Sequence, residues 1–333
     1  MGGEAGGAVG LRIVDLVDPG RQRWDGTGPR PLRTYLWYPA ETSDAPPLTW
    51  SEYFAPANVV RDAPPRGGRR PTILFSHGTG GSSWQLGWLA ERLVAAGFVA
   101  LAVDHHGNNE RDPYLPEGFI CIWERPRDLS YALDALSGEG LIDPSRVGAA
   151  GFSLGGYTAA ALLGARIDAA RFRGLLNEGI DPEQLPEFPD LLDALRTRLG
   201  AADFAALPDR ATVAVGDDRV RAALLLAPAI GPFLSRESLA AITRPVAVYW
   251  GAADTVAPPA ENGEVYARTI PSATGASVGA AAGHPVFFSE GSDLGRREAP
   301  QFCTDPPGID RHAVHERISE EAVAFFRRAL GAG

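Results

Sequence analysis

The chain has 333 residues and sets 31 basic side chains against 41 acidic ones, a formal net charge of −10. Every basic residue is arginine, so lysine Schiff-base chemistry, a Ser–Lys dyad and the lysine of a Walker A phosphate loop are all excluded. The acidic balance also argues against nucleic acid as a partner, because gripping a phosphate backbone needs a basic face.

In chain order, Leu11–Val17 and Leu32–Tyr38 read as strands, followed by Pro-rich linkers at Ala45–Leu48 and Ala63–Pro71. A regular alternation then begins. Thr72–Ser76 is a β-rich run, Ser83–Ala96 has helical spacing, Phe98–Val103 is apolar and Arg127–Leu136 is helical. Arg146–Ala150 reads as a strand and Leu154–Gly164 as a helix of small residues. Strands at Val220–Leu226, Val246–Trp250 and Ala276–Ala280 enclose helical stretches at Arg236–Ile242 and Pro259–Thr269, and His312–Leu330 closes the chain as an amphipathic helix. Strands alternating with helices imply right-handed crossovers and a mostly parallel sheet with helices on both faces. One block breaks the rhythm. Ala165–Asp218 is richer in charge, contains Asp181-Pro182, Leu185-Pro186 and Phe188-Pro189, and has a helical piece at Leu191–Leu199. It reads as an inserted helical lid, residues 165–218, within a single domain spanning 1–333.

Hydrophobic content of 45% and charged content of 22% describe an ordinary globular protein. The two cysteines, Cys121 and Cys303, have neither CxxC nor zinc-finger spacing and read as separate thiols. The Gly/Ala-rich start, Met1–Gly10, lacks the pattern of a secretory signal, and no run approaches the roughly 20 apolar residues of a membrane helix. A cytoplasmic location is expected, and a homodimer is compatible with the sequence.

The strongest motif is Gly151-Phe152-Ser153-Leu154-Gly155-Gly156. It fits G-x-S-x-G, with a strand running in and a helix running out. Such a turn strains the serine backbone and lifts its oxygen above the carboxyl edge of the sheet. Ser153 is the candidate nucleophile. Upstream, His77-Gly78-Thr79-Gly80-Gly81-Ser82 follows the strand Thr72–Ser76. Such a loop can bring the Thr79 N–H beside the nucleophile, with the Leu154 N–H as second donor. Together they would form an oxyanion hole, favouring the tetrahedral intermediate over the planar ester. Gly78 and Gly80 then border the substrate. His77 reads as a structural tie within the loop.

A serine hydroxyl needs a base, and the base needs an orienting carboxylate. For a strand–turn–helix nucleophile the chain order is Ser, then Asp or Glu, then His. His284, His312 and His315 follow Ser153. His284 lies in a loop after the last predicted strand, whereas His312 and His315 belong to the final helix, as caps or solvent-facing residues. Asp254 follows the strand Val246–Trp250, where a carboxylate can reach the far ring nitrogen of His284. The competing role for Asp254 is a helix N-cap.

Asp104-His105-His106 does not match H-E-x-x-H, so no metal is expected, and both histidines read as rim residues. No cofactor is implied. Trp88 and Trp123 read as core, and Phe287 and Phe288 as lining for an acyl pocket. Arg125 and Arg127 read as ion-pair partners near Asp128.

With these residues in view, the chain resembles the α/β-hydrolase superfamily. Within it, the chain is similar to serine esterases related to platelet-activating-factor acetylhydrolase and to predicted dienelactone hydrolases. The likeness runs over roughly Pro31 to Leu330. It rests on Leu36-Trp37-Tyr38-Pro39, Ser76-His77-Gly78-Thr79-Gly80-Gly81, Ala102-Val103-Asp104-His105, the Ser153 motif, and Cys303-Thr304-Asp305 with Asp310-Arg311. It implies an α/β-hydrolase fold in which Ser153, Asp254 and His284 cleave a carboxylic ester or lactone of a small molecule. Dienelactone hydrolases carry a cysteine where this chain has Ser153. The same site could instead serve acyl transfer, amide cleavage or non-hydrolytic bond formation on a natural product.

Overall fold

The computed structural model describes residues 8–42, 46–180, 185 and 188–332. Asp181-Pro182, Pro186, the start of the Ala45–Leu48 linker and most of Met1–Gly10 lie outside them. Nine strands form one sheet. They are β1 (Ala8–Gln22), β2 (Pro29–Ala40), β3 (Val59–Arg61), β4 (Arg70–Ser76), β5 (Val99–Asp104), β6 (Ile142–Phe152), β7 (Val220–Leu226), β8 (Val246–Trp250) and β9 (Ala273–Ser277). Their spatial order is β3-β1-β2-β5-β4-β6-β7-β8-β9. β1 and β2 form a long antiparallel hairpin, and β2 joins β5 antiparallel. From β5 across to β9 every pairing is parallel.

Burial on both faces explains the continuous apolar strands. Along β5, Val99, Leu101 and Val103 enter one core cluster, while Ala100 and Ala102 enter the other. The first core receives the helices Glu124–Leu136 and Leu154–Leu162, and the second receives Gly87–Ala95 and Arg311–Leu330. The helices thus sandwich the sheet.

The strand order reverses at β4. The chain leaves β4 for β5 on one side, then crosses back to β6 on the other. Such a reversal opens a crevice at the carboxyl ends of the two strands, where ligands bind in open α/β sheets. The loops after β4 and β6 carry the Thr79 and Ser153 motifs, so topology alone brings them together.

Two expectations shift. The last strand is Ala273–Ser277, three residues earlier than its apolar signal at Ala276–Ala280 suggests. It is a mostly exposed edge strand, so hydrophobicity does not mark it. Ser83–Ala96 divides into a 3₁₀ turn, Ser83–Leu86, and a helix, Gly87–Ala95. Between the helix Leu154–Leu162 and β7 the chain adds helices Ala169–Glu178, Leu191–Ala205 and Leu207–Ala211. Asp168 caps the first of these, its carboxylate accepting from the N–H groups of Ala170 and Arg171 at 2.9 and 3.0 Å. Cys121 and Cys303 are both buried and unpaired. Among the described residues, no helix is long and apolar enough to cross a membrane.

Candidate active site

Ser153 sits between β6 and the helix Leu154–Leu162 with φ 54° and ψ −119°, a backbone conformation that disfavours a side-chain-bearing residue. The surroundings impose it. A Cβ on Gly155 would lie 1.9 Å from the Ser76 carbonyl oxygen, so only glycine lets the helix pack against the end of β4. The Ser153 N–H donates to Leu226 O of β7 at 2.8 Å, and its carbonyl accepts from Gly156 and Ala229 at 2.8 and 3.0 Å. Leu154 is the first residue of its helix, where N–H groups have no partner within the helix.

The loop after β4 is fixed by side chains. Gly78 N–H donates to Gln85 Oε1 at 2.9 Å and Gly80 N–H to Asn108 Oδ1 at 2.6 Å. Among the described residues, the N–H of Thr79 between them meets no protein acceptor. Thr79 and Leu154 line the same cavity.

His284 and Asp254 come from the loops after β9 and β8. His284 Nδ1 donates to Asp254 Oδ2 at 2.6 Å. The other carboxylate oxygen accepts the N–H groups of Val256 and Ala257 at 2.9 and 2.8 Å. Asp254 is therefore both turn cap and histidine partner. The two loops touch closely enough that a Cβ on Gly251 would lie 2.3 Å from Ala282 O. The His284 ring stands 4.7 Å, centroid to centroid, from Phe152, the neighbour of Ser153. Ser153, His284 and Asp254 are exposed by only 7, 7 and 4%.

The turn His284–Phe287 is braced from behind. Trp88 Nε1 donates to Phe287 O at 3.0 Å, and His315 Nε2 donates to Val286 O at 2.9 Å. The Trp88 and His315 rings stack 3.8 Å apart and 4° from parallel. His315 is thus a buried strut, in contrast to its expected capping or solvent-facing role. Burial pushes its imidazole down to about 3, so it is neutral. His312 does face solvent, where it meets Glu290 at 2.8 Å. Trp88 is half-buried rather than core, while Trp123 is core.

Phe287 is wholly buried, its ring committed to the core, so it cannot touch substrate. Phe288 does line a cavity, together with Thr79 and Gly80. Gly78 packs against Phe152 instead, where an added Cβ would come within 3.1 Å of the ring.

His105 and His106 are buried and do not form a rim. His105 Nδ1 donates to Asp128 Oδ2 at 2.9 Å, and its Nε2 accepts from Ser76 Oγ at 2.9 Å. Its backbone N–H donates to His77 Nε2 at 3.0 Å, while His77 Nδ1 donates to Gly78 O at 2.7 Å. Asp128 is gripped by Arg30 Nε and Arg21 Nη1, both at 2.8 Å. Arg125 and Arg127 are not its partners. Arg127 pairs with Glu124 at 3.1 Å, and Arg125 donates to the carbonyl of His77. Burial and the Arg125 charge hold His105 at about 3 and keep His77 well below the usual imidazole range.

The sequence pattern of the alpha/beta hydrolase family matches residues 73–294, two thirds of the chain. The chain belongs to the alpha/beta hydrolase family. Solved structures share the hydrolase fold at low sequence identity. A ferulic acid esterase from Streptomyces cinnamoneus matches with a TM-score of 0.64 and 21% identity, over 98% of this chain and 91% of that one. A puromycin-hydrolyzing peptidase from Mycobacterium tuberculosis matches with a TM-score of 0.54 and 16% identity, over 96% of this chain and 39% of the peptidase. Among curated proteins, none matches the sequence.

Proposed function

We propose that this alpha/beta hydrolase is a serine esterase that cleaves a carboxylic ester or lactone of a small molecule through an acyl-Ser153 intermediate. One observation carries the reading. A strained serine at the strand–helix turn follows Phe152, whose ring lies 4.7 Å from that of a histidine hydrogen-bonded, at 2.6 Å, to a buried carboxylate. His284 Nε2 takes the Ser153 proton as Oγ bonds to the acyl carbon. The C–O bond to the alcohol then breaks, and the same proton passes to the departing oxygen. Water, deprotonated by His284, attacks the acyl-serine and releases the acid. Asp254 holds the Nδ1–H tautomer and stabilises the imidazolium. The N–H groups of Thr79 and Leu154 receive the oxyanion, each worth about 3 kcal/mol if it matches donors measured elsewhere.

The segment 165–218 acts as the lid of this single domain, since Ile167, Phe172, Leu175 and Leu191 line the cavity that Thr79 and Leu154 also line. The likeness to platelet-activating-factor acetylhydrolase relatives and the esterase among the fold neighbours agree with ester cleavage. Fluorophosphonate tests the reading. A covalent adduct on Ser153 by peptide mass spectrometry, lost in Ser153→Ala along with turnover of an activated short-chain ester, is expected. Turnover that survives Ser153→Ala would overturn it.

A further inference from the structure

Two cavities meet at Thr79, and they differ in chemistry. The first, about 210 Å³, is mostly aliphatic: Leu154, Leu175, Ile180 and Leu191 border it, with Phe119, Phe172 and Phe233 as its aromatic minority. The second, about 310 Å³, is walled by Trp50, Phe54, Tyr114, Phe288 and Phe302. Its aromatic wall is ordered. Trp50 stacks on Phe54 with centroids 5.2 Å apart and, on its other side, on Trp84 at 5.4 Å. Phe288 touches Phe302 at 5.8 Å, and Phe302 remains 45% exposed, unusual for so large an apolar side chain. Arg311 fixes this wall by donating to Ser289 O at 3.1 Å and Phe302 O at 2.8 Å while paired with Asp305.

Resting on the proposed ester cleavage, we infer that these cavities divide the substrate: an aliphatic acyl chain beneath the insertion, and a flat aromatic alcohol, uncharged or cationic, between the rings. The assignment follows from the proton path. The departing oxygen must face His284, which protonates it, while the carbonyl oxygen faces the Thr79 and Leu154 N–H groups. The aromatic cavity is tied to the histidine through Phe288. Phe288 is four residues beyond His284, and its ring is 5.3 Å from Phe152, whose ring touches His284. The aliphatic cavity lies on the side of the Leu154 N–H, leaving it for the acyl chain. Glu110 also lines the aromatic cavity and disfavours an anionic alcohol.

Hexanoate esters of benzyl alcohol and cyclohexylmethanol test this, because the two alcohols are close in size and acidity. The benzyl ester should be favoured about tenfold in kcat/KM through ring contacts. Phe302→Ala and Phe54→Ala should each draw that ratio toward one. The 4-carboxybenzyl ester should be slower than the benzyl ester. Leu175→Trp should slow hexanoate more than acetate. Equal rates for the two alcohols, or a ratio untouched by Phe302→Ala and Phe54→Ala, would overturn the assignment. Fluorophosphonate labelling of Ser153 on the same protein, read by mass spectrometry, separates the two levels. An adduct without aromatic preference overturns the subsites alone, and no adduct overturns the esterase reading with them.

Discussion

The molecule contains two groupings of serine, histidine and aspartate, and only one has its serine in a strained strand–helix turn. Ser76, His105 and Asp128 are linked by hydrogen bonds of 2.9 and 2.9 Å. They are buried under the loop that carries Thr79, with Asp128 neutralised by Arg30 and Arg21. Ser153, His284 and Asp254 stand in the turns and loops after β6, β9 and β8, and Leu154, the neighbour of Ser153, lines a cavity. In the first set burial and Arg125 hold His105 at about 3, so it cannot take a proton near neutral pH. The first set also has regular strand geometry at its serine, within β4, whereas Ser153 occupies a strained turn. Hydrogen-bond connectivity alone therefore does not make a catalytic triad. Backbone strain at the serine and the low proton affinity of His105 set the two groupings apart.

Substitution at matching positions should separate the two sets. Ser153→Ala should lower kcat by about 10⁵–10⁶-fold, whereas Ser76→Ala should cost about 1–3 kcal/mol of stability and leave most turnover in place. Steady-state kinetics and urea unfolding on both variants decide it. Asp254→Asn should lower kcat by about 10⁴-fold with the fold intact, because the His284 tautomer is lost. Asp128→Asn should act on the fold instead, costing about 3–5 kcal/mol by leaving the buried Arg30 guanidinium without its carboxylate and the half-buried Arg21 short of one partner. Circular dichroism melts on this pair report which behaviour holds.

Titration sharpens the contrast further. His105 and His315 sit at about 3 in the folded chain, against an ordinary 6.5. Below pH 6.5 the unfolded chain takes up protons that the folded chain refuses, so stability should fall as pH drops from 6.5 toward 3. The slope is at most about 1.4 kcal/mol per pH unit for each histidine. Glu91 acts in the opposite sense, since burial raises it to about 7. Its contribution is present below about 4.5 and lost as pH rises through 7. Denaturation curves from pH 4 to 8 should show the histidine slope, and His105→Gln should remove part of it. The smallest effect is expected from Trp88→Phe, which deletes the hydrogen bond to Phe287 O and should cost about 1 kcal/mol. A fall in kcat with KM unchanged would show that the brace also positions His284.

The set we propose as catalytic was legible because its parts carry local signatures. A strand, the Gly151–Gly155 motif and a helix occur in sequence, and chain order then selects Asp254 and His284. The buried set was not legible. Its members come from positions 21, 30, 76, 105, 125 and 128, and no spacing rule joins them. Asp104-His105-His106, His77 and the arginines near Asp128 were separate local hints, and none of them gives a sign of the shared burial. The sheet was read through its apolar strands, so the exposed β9 shifted and the three-residue β3 went unseen. The helix Ala169–Glu178 hid in a charged block, although Asp168 ahead of Phe172 and Leu176 carries the signal of a cap and a buried stripe.

Ser153 is also a rung of the sheet, its N–H bonded to Leu226 O of β7. This serine has no separate loop that can fray while the rest of the molecule stays whole. Unseating it means unzipping β6 from β7 at the centre of the sheet. Loss of this serine's position on heating therefore reports opening of the sheet itself.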